Sequence, residues 1–268
     1  SHIVVRRLFE HGYGYIFQNP DRRVVFALPF EDDFTLIGTT EVEFDRDPSG
    51  ATIDEAEIEY LCETANRFFE QVTTPVDVVH AFSGVRPLLK EEEANPSAVT
   101  RDYQLDLDED GAPLLSVFGG KITTYRKLAE EALGKLGVHL GGGESWTEDA
   151  PLPGGDIEGG ELDTLRSRLR ERYPWLDESL RRRLARAYGT RAELVLGDAG
   201  SAADLGEDFG GGLFERELRY LVEVEWARTA DDVVWRRSQL GLRLSDEQQQ
   251  RVGEWMEGWQ ASELATGR

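Results

Sequence analysis

Short apolar runs, separated by polar and turn-forming residues, fill roughly the first half of the chain. Each run is rich in β-branched or aromatic side chains and is bounded by Gly, Pro, Asn or Asp, a pattern that predicts β-strands. Because most neighbouring runs are close in sequence, they favour an antiparallel or mixed sheet. The predicted strands are Ile3–Val5, Tyr13–Gln18, Val24–Leu28, Thr35–Thr40, Asp77–Phe82, Val99–Leu107 and Leu114–Phe118.

Two stretches of the same region carry apolar residues at spacings of three and four, which predicts amphipathic helices. One helix is predicted over 58–72, and Thr52 with Glu55 ahead of it predicts a T-x-x-E capping box. A second helix is predicted over 122–136 and is expected to end by Gly137. Strands interrupted by few helices indicate an α+β fold for this part of the chain.

The pattern changes near position 145, after which helical spacings dominate. Glycines at 141–143 and the segment 151–155, Pro-Leu-Pro-Gly-Gly, indicate a linker at this point. The C-terminal tryptophans, Trp226 among them, lie at helical spacings and are predicted to pack in a core. We therefore predict an α+β region over 1–143 and an all-helical domain over 144–268.

Charge and cysteine content narrow the classes of function. The chain has 52 acidic and 30 basic residues and a formal net charge of −22. Such acidity argues against nucleic acid binding, because the phosphates would be repelled. The one cysteine, Cys62, excludes an internal disulfide and a cysteine-based zinc site, and its place on a helical stripe predicts a buried thiol. No metal site is predicted.

The chain begins with the strand-like run Ser-His-Ile-Val-Val, and its one methionine is Met256. From this start we expect an excised C-terminal piece of a longer protein. No apolar run approaches the roughly 18–20 residues of a membrane-spanning helix.

The stretch 114–126 is the most informative for chemistry. A predicted strand runs into Gly119 and Gly120 and then directly into a helix, with Lys121 at the junction. Glycines let a backbone approach a ligand closely, and a helix start favours negative charge. The turn therefore suits a phosphate, a carboxylate or the N1–C2=O edge of a reduced flavin. The alternative is a tight structural turn with a solvated lysine.

Two arginines lie in similar settings. Arg86 stands between Val85 and Pro87, and the residue before a proline is held extended, so Arg86 is a candidate for a fixed anion contact. Arg101 lies among alternating residues, and a surface ion pair with Asp102 is the competing interpretation.

These motifs together resemble one family. The segments 83–88, 100–103 and 118–127, in this order and spacing, are similar to the FAD-dependent glycerol-3-phosphate dehydrogenase family, and within it to the bacterial aerobic enzymes. The similarity extends to further segments along the whole chain: Ile37-Gly-Thr-Thr40, 151–155, 172–174, 204–209, Trp226, 231–232 and 235–237.

The resemblance implies oxidation of sn-glycerol 3-phosphate to dihydroxyacetone phosphate, with hydride passing to FAD and electrons to quinone. It implies that His2 takes the hydroxyl proton and that Arg86 stabilises the developing alkoxide. Arg101 corresponds to the arginine that binds the substrate phosphate, and Lys121 to a lysine near substrate and flavin. The flavin-contacting turn corresponds to Gly119, Gly120, Lys121, Ile122 and Thr123.

The family carries its Gly-x-Gly-x-x-Gly dinucleotide motif near the N-terminus, and this chain has no such motif. The resemblance thus implies a substrate-binding cap over 1–143, in which about 110–137 is the returning strand–helix of the FAD domain, and an isolated chain that is inactive.

Alternatives stay open. The chain is also compatible with an FAD-dependent oxidoreductase acting on another polyol or an amine, or with a non-catalytic interaction module. The family resemblance implies a cytoplasmic enzyme that is peripherally attached to the inner face of the cytoplasmic membrane. It is compatible with a homodimer. A net charge of −22 limits any contact with anionic lipid to a local patch.

Overall fold

The computed structural model of the protein describes residues 1–86 and 102–266. The contacts divide the chain into two compact units, Ser1–Ala150 and Pro151–Arg268. The first unit mixes strands and helices, and the second is predominantly helical. Each unit contains a hydrophobic core of its own.

Five antiparallel strands form the main sheet of the first unit, which confirms the predicted sheet type. The strands are β1 (His2–Arg6), β2 (Tyr15–Gln18), β3 (Val24–Phe30), β4 (Phe34–Gly38) and β5 (Val78–Phe82), in the spatial order β2-β3-β4-β1-β5. The chain reverses through residues with positive φ at Arg22 (68°) before β3, and at Glu31 (44°) and Asp32 (63°) before β4. Such turns match the twist of the strands that they join.

One face of this sheet packs against helix α1 (Glu55–Asn66). Successive side chains of a strand point to opposite faces, so Ile3 and Val5 reach the helix while His2 and Val4 point away from it. The helix contributes its apolar stripe to this core, and Cys62 on that stripe is 3% exposed. The predicted buried thiol is confirmed.

The capping box of α1 differs from the predicted one. Asp54, not Thr52, is the N-cap: its carboxylate accepts from the Glu57 N–H at 2.8 Å, and the Glu57 carboxylate accepts from the Asp54 N–H at 3.2 Å. Both pairs have the same spacing, and a carboxylate caps as well as a hydroxyl. The helix ends at Asn66 instead of continuing to 72, because the Asn66 side chain exchanges two hydrogen bonds with the Thr73 backbone.

A second element of this unit is a hairpin followed by a helix. Strands β6 (Tyr103–Asp108) and β7 (Leu114–Gly119) pair antiparallel, a 3₁₀ turn covers Ile122–Thr124, and helix α2 spans Tyr125–Leu140. The predicted end at Gly137 is wrong. The helix continues for three residues, and Gly141 with a φ of 72° follows it, as is common for helix ends.

Glu130 connects the segment after α2 back to the helix. Its carboxylate accepts hydrogen bonds from the Ser145 and Thr147 hydroxyls and pairs with Arg126 at 3.1 Å. These hydroxyl hydrogen bonds, reinforced by the charges of Arg126 and Lys127, lower the pKa of Glu130 from 4.5 to about 2.

Because this pKa is depressed in the folded state, the stabilisation from Glu130 is present above its ordinary pKa and is lost as the pH falls toward 2. We expect hydrogen exchange at the amides of 144–147, corrected for intrinsic rates, to accelerate between pH 4.5 and 2.5. A Glu130→Gln variant should exchange fast at both pH values. Equal protection of wild type and variant at pH 6 would contradict this role.

The second unit contains five α-helices and one hairpin in its described residues, so the prediction of an all-helical domain is wrong in this detail. The elements are α3 (Leu162–Arg172), α4 (Glu178–Tyr188), α5 (Ala192–Leu196), β8 (Asp208–Gly210), β9 (Leu213–Phe214), α6 (Glu215–Glu223) and α7 (Asp246–Thr266). A π-helical turn, Asp232–Arg237, lies between α6 and α7. Three glycines with positive φ, at 210–212, permit the tight hairpin.

A buried polar network lies inside this helical core. The Glu217 carboxylate is 2% exposed and receives the Arg183 guanidinium at 2.6 and 2.7 Å. The Tyr188 hydroxyl donates to Glu217 at 2.6 Å, and Arg183 also donates to the Gly212 carbonyl. Burial, followed by the charge of Glu217, raises the pKa of Tyr188 well above 10. The network joins α4 to α6 and to the β8–β9 turn.

Candidate active site

Three strand ends meet at one end of the main sheet. His2 on β1 pairs with Gly38 on β4 and with Phe82 on β5. The Ser1 amino group donates to the Thr40 carbonyl at 3.0 Å, and the Thr40 N–H donates to the Ser1 carbonyl at 3.2 Å. These hydrogen bonds fix the start of β1 against the residues that follow β4.

The face on which His2 lies is the one opposite α1. Phe82, His2, Gly38 and Phe26 form one row across β5, β1, β4 and β3, because each is paired with the next. Phe26 and Phe82 are each 39% exposed, although aromatic side chains are usually buried. His2 is half-buried and lies beside accessible aromatic side chains instead of in the core against α1, so a ligand can reach it.

The His2 imidazole stacks on the Phe82 ring with a centroid distance of 5.1 Å and an interplanar angle of 12°. Burial, above all, lowers the pKa of His2 below its ordinary value of 6.5, and the positive charges of the Ser1 amino group and Arg86 add to this effect. The imidazole is consequently neutral near pH 7, and a neutral imidazole can accept a proton.

Arg86 belongs to the same end of the sheet. It follows β5 by four residues, and its guanidinium forms an ion pair with the carboxylate of Glu41, three residues after β4. The two side chains are about half exposed, at 48% and 41%. The strand partners of His2, Phe82 and Gly38, precede Arg86 and Glu41 by four and three residues, which places this ion pair at the same end of the sheet as His2.

The flavin-contact residues predicted from the sequence lie at the turn between β7 and α2. Gly119 and Gly120 have positive φ of 70° and 94°, and a Cβ on Gly120 would come within 3.1 Å of the Tyr103 Cβ. Lys121 caps the 3₁₀ turn, and its carbonyl accepts from the Thr124 N–H at 3.0 Å and hydroxyl at 2.9 Å. Only glycine fits this path without strain.

The residues that follow the two glycines are exposed, and Ile122 is 87% exposed. A large apolar side chain displayed beside a lysine at a helix start suits a planar ligand with one anionic edge. These residues fit the N1–C2=O edge of a flavin. They do not supply a cradle for its nucleotide portion, since the chain has no Gly-x-Gly-x-x-Gly motif.

The predicted site residues thus fall into two described groups. His2 and Arg86 lie together at the sheet end, and Gly119, Gly120, Lys121, Ile122 and Thr123 form the β7–α2 turn. Arg101 lies outside the described residues. The sequence analysis did not identify three further residues of this site: Gly38 and Phe82, which contact His2, and Glu41, which pairs with Arg86. For Gly38, the available signal was its place in the motif Ile37-Gly-Thr-Thr40.

The chain closely matches known families and curated proteins along most of its length. Residues 1–126 match the family described as FAD dependent oxidoreductase, and residues 145–260 match the C-terminal domain of alpha-glycerophosphate oxidase. The chain is 53% identical over 259 residues to the aerobic glycerol-3-phosphate dehydrogenase of Escherichia coli, covering 96% of this chain and 52% of that protein.

Two further relatives extend the comparison. The glycerol-3-phosphate dehydrogenase of Pseudomonas aeruginosa is 50% identical, over 96% of this chain and 51% of the relative. The D-erythritol 1-phosphate dehydrogenase of Brucella abortus is 45% identical, over 96% of this chain and 52% of the relative. The chain spans about half the length of these relatives.

Proposed function

The chain belongs to the FAD-dependent glycerol-3-phosphate dehydrogenase family, as its motifs predict, and we propose that it forms the substrate-binding half of such an enzyme. The reaction is the oxidation of sn-glycerol 3-phosphate to dihydroxyacetone phosphate, with quinone as the final electron acceptor. One observation carries the proposal: a histidine with a lowered pKa stacks on a partly exposed phenylalanine at the end of the sheet where Arg86 follows β5.

The chemistry divides among the residues of this chain. His2, neutral near pH 7, accepts the proton of the substrate C2 hydroxyl through its unprotonated ring nitrogen. Arg86 stabilises the negative charge that develops on that oxygen, since a guanidinium keeps its charge at every working pH. When bound, FAD supplies the acceptor for the hydride from C2. Gly119, Gly120, Lys121, Ile122 and Thr123 are the residues of this chain that would hold the flavin.

A phosphorylated substrate suits the charges. The chain as a whole carries −22, so a phosphate dianion needs local cations to approach the site. Arg86 and Lys121, together with Arg101 from the sequence motif, supply three such cations. A guanidinium binds phosphate through paired, charge-assisted hydrogen bonds, and this is the role we propose for Arg101.

A second candidate substrate follows from the Brucella relative, whose name specifies a four-carbon polyol phosphate. The same proton acceptor and cations suit any 2-hydroxy polyol phosphate. The two candidates differ in chain length, so comparing kcat/KM for glycerol 3-phosphate and erythritol 1-phosphate distinguishes them. Glycerol, which lacks the phosphate, tests the need for the cations.

The test uses the chain fused behind the dinucleotide-binding segment of the Escherichia coli relative. We expect a yellow protein that reduces a dye or a soluble quinone when glycerol 3-phosphate is added, with glycerol a far poorer substrate. Fused protein that binds FAD but leaves it oxidised with both phosphorylated polyols would refute the proposal. His2→Gln in the fusion is the matched control, since it preserves FAD binding and removes the proton acceptor.

The 268-residue chain alone is expected to purify colourless and to show no substrate-dependent dye reduction. It offers the flavin one edge contact and no Gly-x-Gly-x-x-Gly turn for the pyrophosphate. The chain is incubated with FAD and desalted, and its absorbance between about 350 and 500 nm then measures the FAD that it retains. Binding on the order of one FAD per chain would be detected in this way. A retained flavin band would show that the pyrophosphate is bound by residues other than this motif.

We place the enzyme in the cytoplasm, with peripheral contact to the inner face of the membrane where quinone is reduced. Among the helices of the described residues, none combines the length and apolar character of a membrane span. With a net charge of −22, contact with anionic lipid requires a local surface of lower negative charge. A homodimer is compatible with this arrangement.

A further inference from the structure

We propose that Gly38 is a positioning residue for the imidazole of His2. Its missing side chain leaves the space that the ring occupies, and the Phe82 ring stacks against that imidazole from the neighbouring strand. The inference deepens the proposed function and rests on it for the statement that His2 acts as the proton acceptor.

The imidazole of His2 occupies the position that a side chain on Gly38 would need. A Cβ placed on Gly38 would lie 2.1 Å from His2 Cδ2, 2.7 Å from Cγ and 2.8 Å from Nε2. All three distances are shorter than any non-bonded contact that a Cβ atom tolerates. The imidazole therefore lies directly over the Gly38 backbone, and any other residue at 38 forces the ring to move.

The backbone conformation at Gly38 differs from that at the other two site glycines. Gly119 and Gly120 have positive φ, so their backbone conformation favours glycine. Gly38 is not among the residues with positive φ, and it is the last residue of β4, paired with His2 at the end of the β1–β4 ladder. A left-handed backbone does not explain this glycine, whereas the room that it leaves for the imidazole does. Glycine inside a strand is otherwise unfavourable, since it weakens the strand and packs no side chain.

The backbone around this contact is held in place by hydrogen bonds on both sides. Two backbone hydrogen bonds join Ser1 to Thr40 on one side of the contact, and the Ser1 hydroxyl lies 3.0 Å from the Ser83 hydroxyl on the other. The Thr40 hydroxyl donates to Glu57, which also belongs to the capping box of α1. A methyl group at 38 is thus expected to displace the His2 ring more readily than the strands.

Gly38→Ala in the 268-residue chain tests this directly, because it needs neither FAD nor activity. The probe is the NMR titration of the imidazole resonances, with His2 assigned from a His2→Gln variant. In the parent chain we expect the pKa of His2 below 6.5 and a ring-current shift from Phe82. In Gly38→Ala the ring moves toward solvent, so the pKa rises toward 6.5 and the ring-current shift is lost.

Among the described residues, the other titratable or charged groups near this end of the sheet are the Ser1 amino group, Arg86, Glu41, Glu57 and His80, and the substitution leaves all of them in place. His80 lies on the same face of β5 as Phe82, with 6.2 Å between the two ring centroids. The control is Gly50→Ala, because a Cβ at Gly50 meets no atom within 4 Å and its φ is not positive. Gly50→Ala should leave the His2 titration unchanged.

A double-mutant cycle keeps the test informative if Gly38→Ala destabilises the chain. In a His2→Ala background the clash is absent, so Gly38→Ala should then have a much smaller effect on the thermal midpoint. Equal destabilisation in both backgrounds, or a folded Gly38→Ala chain with an unchanged His2 titration and chemical shift, would overturn the proposal.

The fused enzyme gives the functional readout. Gly38→Ala should lower kcat for glycerol 3-phosphate by about 10–10²-fold, the usual cost of a misplaced catalytic group. KM should change little, and the pH profile of kcat should shift with the pKa of His2. A fused enzyme inactive with every polyol phosphate refutes the proposed function, whereas the NMR titration of the chain still decides whether Gly38 positions the ring.

Discussion

Replacing Glu217 by alanine is expected to lower the free energy of unfolding of the second unit by about 3–5 kcal/mol, the cost of breaking a buried ion pair from one side. The substitution leaves the Arg183 guanidinium, 19% exposed, without its carboxylate and removes the acceptor of the Tyr188 hydroxyl. Both donors stay inside the core between α4 and α6, where water reaches them poorly. Urea denaturation followed by far-ultraviolet circular dichroism measures the loss.

Asp198→Ala is the matched control in the same unit. Asp198 also pairs with an arginine, Arg216, at 2.7 Å, but its side chain is 94% exposed. Exposed pairs contribute at most about 1 kcal/mol, so this variant should be nearly as stable as wild type. The free energy of unfolding of Glu217→Gln should lie between those of Glu217→Ala and Asp198→Ala, because the amide oxygen can still accept the hydrogen bond of the Tyr188 hydroxyl. If Glu217→Ala and Asp198→Ala lose equal stability, the network does not hold the core together.

The local pattern of the sequence predicts the strands of the first unit but not the neighbours of its candidate catalytic group. The run Ile3–Val5 predicts β1, and the structure extends it by one residue at each end. The pairing of His2 with Gly38 and with Phe82 joins residues far apart in sequence. No local periodicity encodes such a register, so His2 enters the sequence prediction through the family resemblance alone.

Helical periodicity misleads where the backbone leaves the helix. Trp226 is predicted in the core because the C-terminal tryptophans lie at helical spacings. The helix ends at Glu223, and Trp226 adopts a φ of 58° with 76% of its surface exposed. Once the backbone turns left-handed, the spacing of 3.6 residues no longer assigns a face. Trp235 and Trp255, in helical segments beyond this break, do pack against the core, as predicted.

The β8–β9 hairpin was missed for a related reason. Its strands have three and two residues, too few to show an alternating pattern. In the sequence, the run of three glycines at 210–212 is the available signal of a turn. In the structure, all three of these glycines have positive φ. The β7–α2 turn, by contrast, was recognised because a longer strand precedes its two glycines and a helix follows them. A glycine run predicts a turn reliably only when its flanking elements are long enough to be identified.

Lys121→Met is expected to slow flavin reduction by saturating glycerol 3-phosphate by roughly 10²–10³-fold in the fused enzyme, the scale for loss of one electrostatic stabiliser. The family resemblance implies that Lys121 lies near the N1–C2=O edge of the flavin, where negative charge would develop as the flavin is reduced. A cation at that edge stabilises the charge as it forms and so lowers the barrier more than it tightens substrate binding. In the described residues, Lys121 forms no ion pair that would neutralise it.

Lys127→Met provides the control for this prediction. Lys127 lies six residues farther along the chain and is paired with Glu130 at 3.5 Å. Its replacement changes the net charge of the chain by the same amount as Lys121→Met, but it leaves the charge at the β7–α2 turn unchanged. Stopped-flow reduction should be close to wild type in Lys127→Met and slow in Lys121→Met, and the flavin midpoint potential should fall in the second variant alone. Lys121→Arg should recover part of the rate, because its planar group carries the charge in a different geometry. If reduction at saturating substrate is unchanged in Lys121→Met while KM rises, Lys121 binds the phosphate of the substrate, and the flavin-edge assignment is wrong.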